Sequence, residues 1–109
     1  MISSPLKGMW LVALFDLPVV TPKDRRHYAR FRKALLKDGF IMLQYSVYAR
    51  YCASEEGSET HRKRVRESCP DEGEVRLLAV TDHQYAKMEV YVGAKREPTE
   101  QPPVQLEFF

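Results

Sequence analysis

The chain has 109 residues, 44% of them hydrophobic and 29% charged, with a formal net charge of +2. This length and composition predict one domain with a single modest core and exclude a disordered or fibrous chain. No apolar run approaches the roughly 20 residues of a membrane-spanning helix, and the opening MISSPLKGMW lacks the apolar stretch of a secretory signal.

Met9 to Phe15 is an unbroken apolar run and predicts a central strand, buried on both faces. It ends on Asp16, with Pro18 just beyond. Thr21-Pro22 opens a helix, with Thr as N-cap, Pro at the first helical position and Asp24 in the first turn. The helix should run to about Asp38 and stop at Gly39. Tyr28, Phe31 and Leu35 form its apolar stripe, and Arg26, Arg30, Lys33 and Lys37 a basic stripe on another face.

FIMLQYSVYARYC, from Phe40 to Cys52, is rich in β-formers but long for one strand. It predicts two strands broken near Gln44 to Ser46. Ser54 to Ser58 reads as a polar loop and Glu59 to Ser68 as a short basic helix closed by Pro70 and Gly73. Val75 to Val80 is a further apolar strand. Thr81 caps a helical turn through DHQYAKM, and Val90 to Val92 return to strand. The tail, KREPTEQPPVQLEFF, reads as a proline-rich linker ending in an apolar segment that an exposed sheet edge would accept.

The order strand, helix, strand, strand, helix, strand predicts an α+β, ferredoxin-like βαββαβ fold over residues 1–93, with residues 94–109 as linker and additional C-terminal strand. That fold hosts many functions, so function must come from particular residues.

Charge is unevenly spread. Thr21 to Arg50 holds eight Lys or Arg against two Asp, a balance of +6, whereas Glu97 to Phe109 holds three Glu and no base. A basic front half suggests a polyanion partner. The stripe Arg26, Arg30, Lys33, Lys37 could grip phosphates, or be an ordinary solvated helix face. Bases on the second helix and at Arg50 and Arg76 suit a duplex backbone better than base reading.

Asp16 has two readings. It sits at the carboxyl end of a central strand, where α/β sheets place ligands, or it is a turn aspartate bonding nearby backbone N–H groups. One carboxylate is few for a divalent cation, and no second acidic residue has a matching spacing. A two-fold homodimer would present Asp16 twice. Tyr45, Tyr48 and Tyr51 could stack on unpaired bases, or pack core and dimer surface. His27, His61 and His83 obey no zinc spacing, and Ser46 has no base partner for a nucleophilic triad. Cys52 and Cys69 fit neither a metal motif nor a disulfide framework and read as reduced thiols of a cytoplasmic protein.

Three segments together resemble a known family: FDLP at 15–18, FRKALLKDGFIMLQYSVYAR at 31–50 and GEVRLLAVTDHQYAKM at 73–88. They are similar to the CRISPR-associated adaptation protein Cas-two, in its type II variety. The resemblance implies a ferredoxin-like homodimer in which C-terminal strand material of one chain extends its partner's sheet. By position and apolar character, Val104, Leu106 and Phe108 would make that contact. It implies a Cas-one integrase partner in spacer acquisition, with the dimer bridging integrase subunits and clamping captured duplex DNA. It also implies a metal-dependent endonuclease acting on RNA or DNA, with Asp16 of each protomer as catalytic ligand of Mg²⁺ or another divalent cation. Arg26 and Arg30 match the family's basic first helix in kind. Single-stranded RNA is the further polynucleotide partner that the resemblance implies, and the alternative is a stand-alone, toxin-like metal-dependent endoribonuclease of the same fold, acting without an integrase.

Overall fold

The computed structural model describes residues 8–103. The apolar run forms β1, Met9–Asp16. Helix α1, Pro22–Lys37, opens on a reciprocal cap: the Asp24 N–H donates to Thr21 Oγ1 at 3.0 Å, and the Thr21 N–H to the Asp24 carboxylate at 3.1 Å. The backbone donor on Thr21 also holds the Asp24 pKa below its usual value. Gly39, at φ 90°, takes the left-handed turn that ends the helix, as predicted.

β2, Ile41–Gln44, and β3, Val47–Cys52, are separated at Tyr45 and Ser46, within the predicted break. Helix α2 runs Glu55–Ser68 and begins four residues before the predicted start. Ser54 is the reason, since its hydroxyl accepts the Gly57 N–H at 2.9 Å and caps the first turn. Ser58, expected in a loop, is buried and donates to the Glu55 carbonyl at 2.7 Å. β4 spans Glu74–Thr81 and α3 spans Asp82–Ala86, capped by Thr81. β5, Val90–Val92, pairs with β6, Lys95–Glu97, so the stretch expected as linker opens with a hairpin strand. Val104, Leu106 and Phe108 lie outside the described residues. No helix among the described residues is long and apolar enough to cross a membrane.

The main sheet has the order β2-β3-β1-β4, every pairing antiparallel, with β1 central as predicted. With α1 and α2 as crossovers, this is the ferredoxin-like arrangement. Alternation along β1 divides the chain's apolar mass. Leu11, Ala13 and Phe15 face the helices and pack with Phe31, Leu35, Tyr48, Cys52 and Val65. Each large apolar side chain among them contributes about 1.5–3 kcal/mol on burial.

The opposite face is only partly covered, which corrects the expectation that the run is buried on both faces. At one end Trp10 stacks on Tyr85 of α3, centroids 4.0 Å apart, and its Nε1 donates to Asp82 at 2.8 Å. Tyr85 donates to Glu100 at 2.7 Å, bringing the end of the described chain against this corner. Burial and the Glu100 carboxylate push the Tyr85 phenol pKa far up. Farther along, Leu14, Ile41 and Leu78 are 36%, 44% and 54% exposed.

The helix layer is fastened through Asp38. Its side chain is only 8% exposed, accepts from Arg64 and meets His61 Nδ1 at 2.8 Å, both partners on α2. Its backbone carbonyl accepts from Arg50 Nε of β3 at 2.9 Å. Arg50, expected to add a base to a phosphate surface, instead ties β3 to the end of α1. A buried carboxylate needs such partners, because an unpaired one is costly to desolvate.

Candidate metal and nucleic-acid site

Asp16 closes β1 on the open face of the sheet, in the same alternation as Trp10, Val12 and Leu14. It is exposed. Its cross-strand neighbour in the antiparallel register is Glu74 of β4, which points to the same face. A second carboxylate therefore does stand beside Asp16, which the absence of a matching sequence spacing had hidden. Arg76 Nε donates to Glu74 Oε1 at 3.0 Å and offsets part of the repulsion.

The backbone that carries Asp16 is tightly fixed. The Phe15 N–H donates to the Ser46 carbonyl at 3.0 Å. Gly73, at φ 93°, packs against the other side: a Cβ there would sit 2.8 Å from the Asp16 carbonyl oxygen and 2.7 Å from Leu17 Cδ2. Only glycine fits that approach and that dihedral.

The donor set suits a hard cation, since carboxylate oxygens are what Mg²⁺ prefers. One chain does not enclose an ion, for no group of three or more His, Cys, Asp or Glu is placed to hold a metal among the described residues. Two copies meeting on the open face would double the carboxylates.

Arg26, Arg30, Lys33 and Lys37 lie on the side of α1 away from Phe31 and Leu35 and are turned to solvent. The structure thus does not bring them to Asp16 within one chain: the stripe faces solvent beyond the helices, and Asp16 lies across the sheet. Arg30 and His27 also border a groove of about 420 Å³ against α2, whose far wall carries Glu67 and Asp71, so the basic face has an acidic margin.

The three tyrosines of the β2–β3 region part company. Tyr48 is core, Tyr51 sits edge-on to Trp10 on the open face, and Tyr45 is 71% exposed. His61 serves Asp38, and His27 and His83 lie on helices away from any metal cluster. Cys52 is buried and Cys69 exposed, both unbridged, and burial raises both thiol pKa values.

Residues 9–88, from β1 through α3, match the family model described as CRISPR associated protein Cas2. The chain belongs to the Cas2 family. It is 58% identical over 101 residues to the CRISPR-associated endoribonuclease Cas2 of Parvibaculum lavamentivorans, covering 93% of this chain and 100% of the relative. Identity to the endoribonuclease Cas2 of Flavobacterium psychrophilum is 45% over 103 residues, covering 94% and 90% of the two chains. A third relative of that name, from Lacticaseibacillus rhamnosus, is 45% identical over 89 residues, 82% of this chain and 88% of the relative. The Cas2 match takes in Asp16, Glu74, Gly73 and the whole of α1, and leaves the β5–β6 hairpin outside.

Proposed function

We propose that the chain works in CRISPR adaptation as a homodimer that bridges Cas-one integrase subunits and holds the backbone of captured duplex DNA, with a Mg²⁺-dependent endonuclease site at paired Asp16 residues. The observation that carries this is the incomplete cover of the sheet. Leu14, Ile41 and Leu78 form an apolar face with a fixed carboxylate at its end. A second copy on that face would bury the apolar side chains and bring a second Asp16 and Glu74 to the same cleft.

Bound there, a divalent cation supplies polarisation of a phosphodiester oxygen. The chain's own part is to hold Asp16 in place through Ser46 and Gly73, and to keep Glu74 beside it. RNA enters as a substrate class through the relatives' name, endoribonuclease. Duplex DNA is favoured by the basic outer face of α1, whose bases are spread along the helix with only Asp24 and Asp38 as acids, both engaged in caps or ion pairs. A phosphate backbone matches such a surface without sequence reading.

Leu78→Asp tests the pairing. Leu78 is more than half exposed, so the folded monomer should keep its circular dichroism spectrum, while sedimentation should shift from dimer to monomer. Cleavage of RNA with Mg²⁺ should fall with it. A variant that stays dimeric with a charge in that face would rule out this mode of assembly.

Replacing Arg26 and Arg30 by Glu tests the duplex surface. Affinity for a short DNA duplex should drop, with a salt dependence shallower by about 0.9 for every phosphate no longer neutralised. Unchanged affinity at moderate salt would mean that the duplex lies elsewhere. Stable binding of the wild-type chain to a Cas-one integrase separates the adaptation role from a toxin acting alone.

A further inference from the structure

At the end of β1 that carries Asp16, but on the helix side of the sheet and on the flank of α1 away from α2, lies an aromatic pair that the duplex surface does not use. Tyr45 stacks on Tyr28 with ring centroids 5.5 Å apart and planes 15° from parallel. One face of the Tyr45 ring is therefore taken by Tyr28, yet the residue is 71% exposed. Its position is fixed from several sides. Tyr28 Oη and Ser46 Oγ share a hydrogen bond of 3.1 Å, and Tyr28 also meets Phe15, 5.8 Å between centroids.

Ser46 holds φ 65°, a left-handed conformation that is strained for a non-glycine residue. That turn projects Tyr45 outward, and the Ser46 carbonyl accepts the N–H of Phe15, next to Asp16. The Tyr28 hydroxyl raises the Tyr45 phenol pKa.

Cations flank the pair. Arg25 and Arg32 lie three residues before and four after Tyr28, on the same side of α1, and both are exposed. Arg25 donates to the Val20 carbonyl at 2.8 Å and the Val19 carbonyl at 3.3 Å, which holds its guanidinium at the connection leading from Asp16. This flank differs from the Arg26, Arg30, Lys33, Lys37 face.

We propose that the Tyr45–Tyr28 pair, with Arg25 and Arg32, is a stacking platform for an unpaired base of a single-stranded polynucleotide that runs past Asp16. A ring with one face supported and the other open, beside a helix flank that carries two exposed arginines, is what single-strand binding uses: π-faces for bases and cations for the backbone. A base in a duplex is already stacked on both faces, so the platform selects single strands. The proposal deepens the nuclease reading and rests on it. Asp16 gives a place for bond cleavage, and Tyr45, tied to the same end of β1 through Ser46 and Phe15, holds a base of the same strand.

The test uses the full chain with a chelator present, so that binding is read without cleavage. The probes are a short fluorescein-labelled oligouridine, an abasic strand of the same length and a duplex. Wild type should bind the oligouridine more tightly than the abasic strand. Tyr45→Ala should lose roughly 5- to 150-fold for the oligouridine, the span of base-stacking truncations, and no longer distinguish the two strands. Tyr45→Phe should behave as wild type, and duplex affinity should be the same in all three proteins. Tyr45→Ala that still prefers the oligouridine over the abasic strand overturns the platform and leaves the nuclease reading standing. Duplex binding without any single-strand binding by wild type does the same. Wild type that binds no polynucleotide overturns both.

Discussion

Asp16→Asn is expected to remove metal-dependent cleavage while leaving the fold and duplex binding as they are. The drop should exceed the ~10- to 100-fold that accompanies removal of a group merely supporting a metal ligand, because a neutral amide replaces a carboxylate that would meet the ion directly. The fold should tolerate the change, since Asp16 is exposed at the end of its strand. Stability without metal should even rise slightly. Asp16 and Glu74 are cross-strand neighbours of like charge, an arrangement that costs about 0.2–1 kcal/mol. The exposed Arg76–Glu74 pair offsets only part of that. Thermal denaturation with and without Mg²⁺ checks the sign: the ion should stabilise wild type and leave the variant unmoved. Cleavage that persists in Asp16→Asn at wild-type rate would remove this carboxylate from the chemistry.

Gly73→Ala should be among the most damaging single methyl additions to the chain. The new Cβ would meet the Asp16 carbonyl oxygen at 2.8 Å and Leu17 Cα at 3.0 Å, both backbone atoms that no rotamer change can move. The φ of 93° adds the left-handed cost, about 1–2 kcal/mol, to an overpacking cost of about 1–3 kcal/mol. Together these amount to about 2–5 kcal/mol, enough to lower Tm by more than about 10 °C in a domain of this size. Any folded fraction should also lose cleavage, since the end of β1 must shift to make room. Gly57→Ala is the contrast. In α2 its Cβ meets only Ser54 Oγ at 3.2 Å, so its effect should stay within about 1 kcal/mol. Equal melting of the two variants would show that Gly73 does not clamp the strand.

Much of the fold was legible because its signals are local. Thr21-Pro22 with Asp24, Gly39 and Thr81 announce helix ends within a few residues, and the apolar run at Met9 to Phe15 marks the central strand. The start of α2 was not legible. Ser54 caps it, but Gly57 and Ser58 look like loop until the buried packing of Ser58 is seen. Leu14 reads as core in a continuous apolar run, and only the one-sided placement of the helices leaves it exposed.

For the site, Asp16 could be picked out by its place at a strand end. Glu74 could not, because strand register comes from packing between distant segments rather than from spacing. Arg50 carries the same lesson in reverse: a base in sequence turns out to be bound to the carbonyls of Asp38 and Tyr51. Tyr45 and Tyr28 belong to different parts of the chain, and nothing local pairs them.

The anchoring of Asp38 bears on how the outer face would meet a polyanion. One residue joins α1, α2 and β3 through its carboxylate and its carbonyl. The backbones that bear the exposed bases of both helices therefore sit at a preset separation before any ligand arrives. Little ordering entropy of the scaffold remains to be given up on binding, and a ligand whose charge spacing does not match cannot easily be met by helices sliding to suit it.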